Sequence, residues 1–168
     1  QSSRFRDFPE QALDVFSVNA GSTARLLDYA CRIGVNRFIY ASSGGIYGSG
    51  SSAFHEDSPI VPPAQLGYYL GSKLCGEVLT RSYASQMEST VLRFFFMYGP
   101  RQKRTMLIPR LVDNIKAGRP ISLQGENGIC INPIHVDDAV KAVLAAMRIA
   151  PGTTFNIAGP DVLSLREI

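Results

Sequence analysis

Two short apolar runs, one at Phe38-Ile39-Tyr40 and one from Val91 to Phe96, each follow a long segment with helical periodicity. A strand that is apolar at consecutive positions is buried on both faces, which is the habit of a parallel sheet covered by helices. The first helical segment is predicted over residues 10–33, where Leu13, Val15, Leu26, Leu27, Ala30 and Ile33 share one face. Ala20-Gly21-Ser22-Thr23 either interrupts that helix or marks close packing, and Gly34 fits the position that ends it. The first strand is expected over Arg37–Ala41, followed by a Ser- and Gly-rich loop from Ser42 to Gly50 at its C-terminal end.

Pro59, Pro62 and Pro63 make the next stretch irregular, and a second helix is expected over residues 65–86. Val91–Phe96 is the second strand, closed by Tyr98-Gly99-Pro100. Beyond it the pattern gives a helix over 106–117 stopped by Gly118, a short strand at Ile121–Leu123 and an Asn127-Gly128 turn. Ile134–Val136 leads to Asp137, read as the N-cap of a helix over 138–148. Phe155–Ile157 reads as a strand, and Ser164 with Glu167 as a capping box opening a helix that the chain end cuts short. This alternation assigns the chain to the α/β class.

With 168 residues the chain is long enough for one domain with a real core, and 45% hydrophobic against 18% charged residues is a globular balance. The net charge of +3 is dispersed, and Arg101, Lys103 and Arg104 form the one tight basic cluster. No stripe of basic and aromatic residues supports nucleic-acid binding. No apolar run is long enough to cross a membrane, and the opening Gln-Ser-Ser-Arg does not read as a signal peptide. Cys31, Cys75 and Cys130 are odd in number and widely spaced, which suggests buried thiols and a cytoplasmic location. His55 and His135 are the two histidines and lack companion ligands, so no metal site is expected.

The chemistry-bearing pattern is Tyr69-Leu70-Gly71-Ser72-Lys73. On a helix, a phenol and an ammonium at i and i+4 share a face. A free tyrosine titrates near pH 10, and an adjacent ammonium favours its phenolate. Ser43, at the end of the first strand, can meet the same substrate oxygen as Tyr69. Such a set suits moving a proton on and off a carbinol or carbonyl oxygen while a nicotinamide handles the hydride. Taken singly, each residue also has an ordinary explanation: a Tyr-Lys pair decorating a helix, a serine in a turn.

Four stretches taken together add a resemblance that covers essentially the whole chain. They are Ser-Ser-Gly-Gly-Ile-Tyr-Gly at 42–48, Tyr-Leu-Gly-Ser-Lys at 69–73 with Gly76-Glu77, Leu92-Arg93 leading to Tyr98-Gly99-Pro100, and His135-Val136-Asp137-Asp138. In this order they resemble the extended short-chain dehydrogenase/reductase family, in its NAD-dependent nucleotide-sugar epimerase and dehydratase branch. The resemblance implies a partial Rossmann-like parallel sheet with helices on both faces, plus part of a small substrate-binding domain. Residues 1–100 would carry the distal NAD-binding part and the triad, 101–132 a substrate segment, and 133–168 a return to the first domain.

It also implies a triad of Ser43, Tyr69 and Lys73, in which Tyr69 transfers the proton, Lys73 holds the nicotinamide ribose and Ser43 orients the substrate hydroxyl. Asn19, Ala41 and Ser42 would lie along NAD, with Phe95 and Tyr98 near the nicotinamide. Gly44, Phe96, Arg101, Arg110 and His135 become substrate-side candidates, although His135 also reads as a structural histidine before a helix. A homodimer is implied, and NADP remains open beside NAD.

Three departures from the family pattern bear on the reading. The glycine-rich phosphate loop that opens such folds has no counterpart in these residues, so the chain is expected to be a fragment that holds NAD poorly by itself. Phe96 stands where an Asn is usual. No Arg occurs in Gly128-Ile129-Cys130-Ile131-Asn132, where one commonly grips a diphosphate; Arg101, Lys103, Arg104 or Arg110 are the available substitutes. Gly44-Gly45 occupies the place of the Asp-Glu pair that expels water in dehydratases. C4 epimerisation of a nucleotide sugar is therefore the expected reaction. The alternatives are a net dehydrogenase or reductase on a sugar or small alcohol, and an inactive remnant of the fold.

Overall fold

The structure, a computed structural model, describes residues 8–50, 52–149 and 152–168. It divides into two compact units, one of residues up to Phe94 with Val143–Asn156, the other of Phe95–Ala142 with Ile157–Ile168.

In the first unit the long N-terminal helical segment is broken into three. Helix α1 (Ala12–Phe16) runs through one π-helical turn, Ser17–Gly21, into α2 (Ser22–Arg32). The widened turn coincides with Ser22 and Thr23, whose hydroxyls donate to the carbonyls of Val18 and Asn19 four residues back. Such back-bonding competes with the regular helix ladder and bends it. The sequence expectation of an interruption at 20–23 is thereby met. Gly34, at φ 73°, ends α2 in the left-handed conformation that glycine adopts without strain.

Strand β1 (Arg37–Ser43) pairs in parallel with β2 (Glu88–Phe94), from Arg37↔Glu88 to Ser43↔Phe94. The sheet order is β1-β2-β6, with β6 at Thr154–Ile157. Residues Ser89 to Arg93 of the central β2 are all buried. The expected loop after Ala41 is instead two more strand residues and a 3-10 turn, Gly44–Tyr47. Ser43 caps that turn by accepting the Gly45 N–H at 3.2 Å. Helix α3 (Pro63–Ser82) starts with proline in its first turn, where the missing N–H has no helical acceptor. Gly67, at φ 67° and ψ 169°, breaks the helix just before Tyr69. The core of this unit gathers Leu27, Ala30 and Met87, flanked by Phe38, Leu79 and Tyr83.

The second unit contains β3 (Met97–Tyr98) parallel to β5 (Ile134–His135), and β4 (Cys130–Ile131) antiparallel to β7 (Leu163–Ser164). Its buried side chains include Leu111 of α4 (Leu107–Lys116), Ile131, Ile134 and Ala139. Helix α5 (Val136–Ala146) belongs to this unit as far as Ala142.

Several sequence expectations need correction. Ile121–Leu123 forms no strand, because it pairs with nothing and leads straight into a turn. Helix α5 begins at Val136, so Asp137 and Asp138 lie in its first turn rather than at the cap, still at the positive end of the helix dipole. The Ser164–Glu167 box forms its reciprocal bonds at 2.7–3.4 Å, but the residues after it make only a turn. Cys75 and Cys130 are exposed and Cys31 is half-buried, contrary to the expected buried thiols. Cys75 lies on a helix whose buried stripe runs through Ser72, Lys73, Gly76, Glu77 and Thr80, and passes it by.

Candidate active site

Within the first unit, α3 carries Tyr69 and Lys73, and the C-terminal end of β1 carries Ser43. The Lys73 ammonium donates to the Ala41 carbonyl at 2.5 Å and stands 4.8 Å from the centre of the Tyr40 ring. The Tyr40 hydroxyl in turn donates to the Lys73 carbonyl at 3.1 Å. Tyr40 can lie this close because Gly76 has no side chain: a β-carbon there would stand 2.1 Å from the phenol oxygen. Helix and strand are thus locked at the turn that bears the lysine.

Ser43 follows directly. Its hydroxyl faces Gly45, and a β-carbon on Gly45 would lie 3.4 Å from the Ser43 oxygen and 3.0 Å from Leu70 Cδ2. Leu70, the neighbour of Tyr69, therefore packs over the turn that Ser43 caps. Gly44 is buried beneath it.

Asn19 is held by the π-helical turn and is buried at 3% exposure. Its amide donates to the Ser72 hydroxyl at 3.0 Å, and Ser72 donates to the Tyr69 carbonyl at 2.7 Å. The π turn is the local device that aims this amide at α3; single π turns are frequently found at functional sites. Two buried polar atoms here, Asn19 Oδ1 and Ser42 Oγ, have no hydrogen-bond partner. Each such atom costs about 1–3 kcal/mol unless something else bonds it.

Burial sets the electrostatics. It pushes the Lys73 ammonium down to about 8, opposed by the nearby Glu77 carboxylate. It also pushes the Tyr69 phenol above its usual value. This corrects the expectation that Lys73 lowers Tyr69: the ammonium is engaged by Ala41 and the Tyr40 face, and desolvation of the phenol dominates. Tyr40 is raised well beyond the usual phenol range, chiefly by burial and then by Glu77.

A polar network behind α3 was not read from the sequence as part of the site. Arg93 and Glu77, both nearly fully buried, form a two-pronged pair at 2.9 and 3.1 Å. Arg93 also donates to the Tyr47 hydroxyl and to the Glu56 carbonyl. Tyr47 donates to Asn156 Oδ1 at 3.0 Å, and its ring stacks on Phe54 at 5.1 Å. Tyr47 closes the turn that Ser43 opens, so the network reaches both the Lys73 helix and the Ser43 turn. Glu77, Arg93 and Tyr47 stand inside the motifs quoted above, but their pairing depends on a strand register that no local pattern encodes.

In the second unit, Tyr98 and His135 meet edge to face across the β3–β5 pair, 5.4 Å between ring centres. His135 Nδ1 accepts the Asp137 N–H at 3.3 Å and lies 3.4 Å from the Asp137 carboxylate. Phe95 is half-buried and donates its N–H to the Ile157 carbonyl at 2.9 Å. Phe96 and Arg101 are exposed and hold positive φ values of 23° and 66°. Met97 to Gln102, with Val136, line an open pocket of about 210 Å³. Arg110 is exposed on α4, apart from that lining. Among the described residues no group of His, Cys, Asp and Glu side chains can hold a metal ion.

The NAD dependent epimerase/dehydratase family model matches residues 3–158. The chain belongs to that family. Its α/β architecture with a parallel sheet is the Rossmann-like fold of the extended short-chain dehydrogenase/reductase branch. It is 33% identical over 154 residues to a dTDP-glucose 4,6-dehydratase of Streptomyces griseus, covering 89% of this chain and 46% of that protein.

The UDP-glucuronic acid 4-epimerase of Bacillus cereus, solved with UDP-glucuronic acid and NAD, matches 89% of this epimerase/dehydratase chain. The TM-score is 0.79 and the identity 29%, with 48% of that structure covered. A dTDP-glucose 4,6-dehydratase of Streptomyces venezuelae, solved with NAD bound, gives 0.84 at 27% identity over 99% of this chain and 52% of its own. The chain spans about half the length of the curated relatives it matches.

Proposed function

We propose that the protein containing this chain performs NAD-dependent epimerisation of a nucleotide sugar at C4, through a keto intermediate. The carrying observation is the Lys73–Ala41 bond, which pins the Tyr69 helix against the strand end that presents Ser42 and Ser43. Tyr69, in its phenolate form, takes the proton of the sugar C4 hydroxyl and later returns it. Ser43 bonds the same oxygen and orients it. Lys73 supplies a fixed positive charge and donors for the ribose hydroxyls of the cofactor.

The residues present fit the nicotinamide end of NAD. Asn19 Oδ1 and Ser42 Oγ are buried polar atoms without a hydrogen-bond partner, and the Lys73 ammonium bonds the carbonyl of the residue before Ser42. A bound nicotinamide supplies the hydride acceptor and donor that an epimerase needs. Asn19, Ala41, Ser42, Lys73, Phe95 and Tyr98 are the residues we assign to it, and Gly44, Phe96, Arg101, Arg110 and His135 to the substrate. NADP is the alternative cofactor, and the cytoplasm the proposed location.

Its relatives include both dehydratases and epimerases, so likeness alone does not choose the reaction. Gly44-Gly45 favours epimerisation, because neither residue can donate or accept a proton in the expulsion of water. A side chain at Gly45 would also press on Leu70. A net dehydrogenase using the same triad is the second reading, favoured by the apolar Phe96. The full-length protein incubated with NAD and a UDP- or dTDP-hexose separates them. Interconversion of the C4 epimers without free NADH supports the proposal, and NADH in proportion to product overturns it.

We assign a homodimer to the apolar helix face of the first unit, where Leu13, Phe16, Leu26, Tyr29, Ile33 and Val78 are all exposed. Large apolar side chains left exposed in number mark an interaction surface.

A further inference from the structure

The chemistry proposed above gives no role to the buried pair behind the lysine. Glu77 follows Lys73 by one turn of α3 and is 1% exposed, and its Arg93 partner on β2 is 2% exposed. Apolar side chains of equal volume often replace such a pair without loss of stability. Stability therefore gives no reason for this pair to be ionic.

The electrostatic setting of Lys73 does. Its ammonium is buried, and the partners that hold it, the Ala41 carbonyl and the Tyr40 ring, are uncharged. A buried ammonium without a counter-charge sheds its proton. The titratable groups around it are Tyr69 and Glu77 on its own helix and Tyr40 on β1. Arg93 on β2 and the exposed Arg81 stand on Glu77, at 2.9 and 3.7 Å. Of these groups, Glu77 is the one carboxylate. Two bonds from Arg93 fix both carboxylate oxygens, so the negative charge cannot swing away from its helix.

We propose that Glu77 is a positioning residue: its carboxylate, locked in place by Arg93, keeps the Lys73 ammonium protonated inside the buried site. Glu77 raises the proton affinity of Lys73 against the effect of burial, which is the direction required. The consequence for proton transfer rests on reading Tyr69 and Lys73 as the acid–base pair. The charge on Lys73 does not rest on that reading and is measured without substrate or cofactor.

The test is a ¹³C NMR titration of the lysine Cε signals in the full-length protein, with the Lys73 signal assigned by its loss in Lys73→Arg. Glu77→Gln should lower the apparent pKa of Lys73 by about one unit or more, tenfold in its ionisation equilibrium. Glu77→Gln with Arg93→Met should fall between that variant and wild type, because the unpaired guanidinium no longer repels the ammonium. Should Glu77→Gln fail to fold, the double variant and wild type carry the comparison. An unchanged Lys73 titration in the folded variants, with only Tm lowered, overturns the proposal and makes the pair plain structural cement. Failure of both variants to fold overturns it equally. A retained titration effect in a protein without epimerase activity would leave this inference standing and sink the proposed reaction.

Discussion

The Lys73 ammonium and the Ala41 carbonyl are joined by a 2.5 Å hydrogen bond that runs from the helix carrying Tyr69 to the end of the strand carrying Ser43. One bond thereby registers the phenol-bearing helix against the hydroxyl-bearing turn. The Tyr40 hydroxyl returns a bond to the Lys73 carbonyl, so helix and strand hold each other from both sides.

Tyr69→Phe keeps the half-buried ring and removes only the proton carrier. In the full-length protein, turnover should fall by roughly 10²–10⁴-fold, the usual share of general acid–base catalysis. NAD affinity, followed by fluorescence titration, should change far less. Wild-type turnover in this variant would remove Tyr69 from the mechanism.

Lys73 has a pH signature of its own. Its folded-state pKa, about 8, lies below the ordinary lysine value of 10.5. Between those values the unfolded chain binds more protons than the folded one, so stability rises with pH there. From pH 7 to 9.5 this contributes about 2 kcal/mol, a rise that Lys73→Met should lack. Urea denaturation across that range measures it, below the pH at which Tyr40 and Tyr69 begin to matter.

Gly76→Ala places a methyl group where the Tyr40 ring lies, 2.1 Å from its oxygen and 2.3 Å from Cζ. The ring must move, which breaks its bond to the Lys73 carbonyl. We expect a loss of about 3 kcal/mol, at the upper end for overpacking, read as a lower denaturation midpoint.

Tyr47→Phe removes the hydroxyl that accepts from Arg93 and donates to Asn156. Both partners are left short of a bond in a largely buried place, at a cost of about 1–3 kcal/mol. Equilibrium denaturation should report that loss, whereas an exposed tyrosine such as Tyr29 changed to Phe should shift stability by less than about 0.5 kcal/mol.

The apolar helix face gives an assembly prediction. Changing Leu26→Glu and Tyr29→Glu together sets two charges at positions 56% and 61% exposed. Sedimentation of the full-length protein should shift from dimer to monomer, with the far-UV spectrum unchanged.

The sequence by itself determined the α/β class, the order of the main helices and strands of the first unit, and the one-turn spacing of Tyr69 and Lys73 on a single helix. Each of these follows from local periodicity, from apolar runs or from an i to i+4 spacing. It also marked Ser43, through the apolar strand that precedes it. Tertiary structure alone decided where Lys73 points, because its partners Ala41 and Tyr40 come from a strand more than 30 residues upstream. It likewise decided that Glu77 pairs with Arg93, that Asn19 reaches Ser72 through a π turn, and that burial raises rather than lowers the Tyr69 phenol. Desolvation and long-range register arise only when segments pack, so no window of sequence contains them.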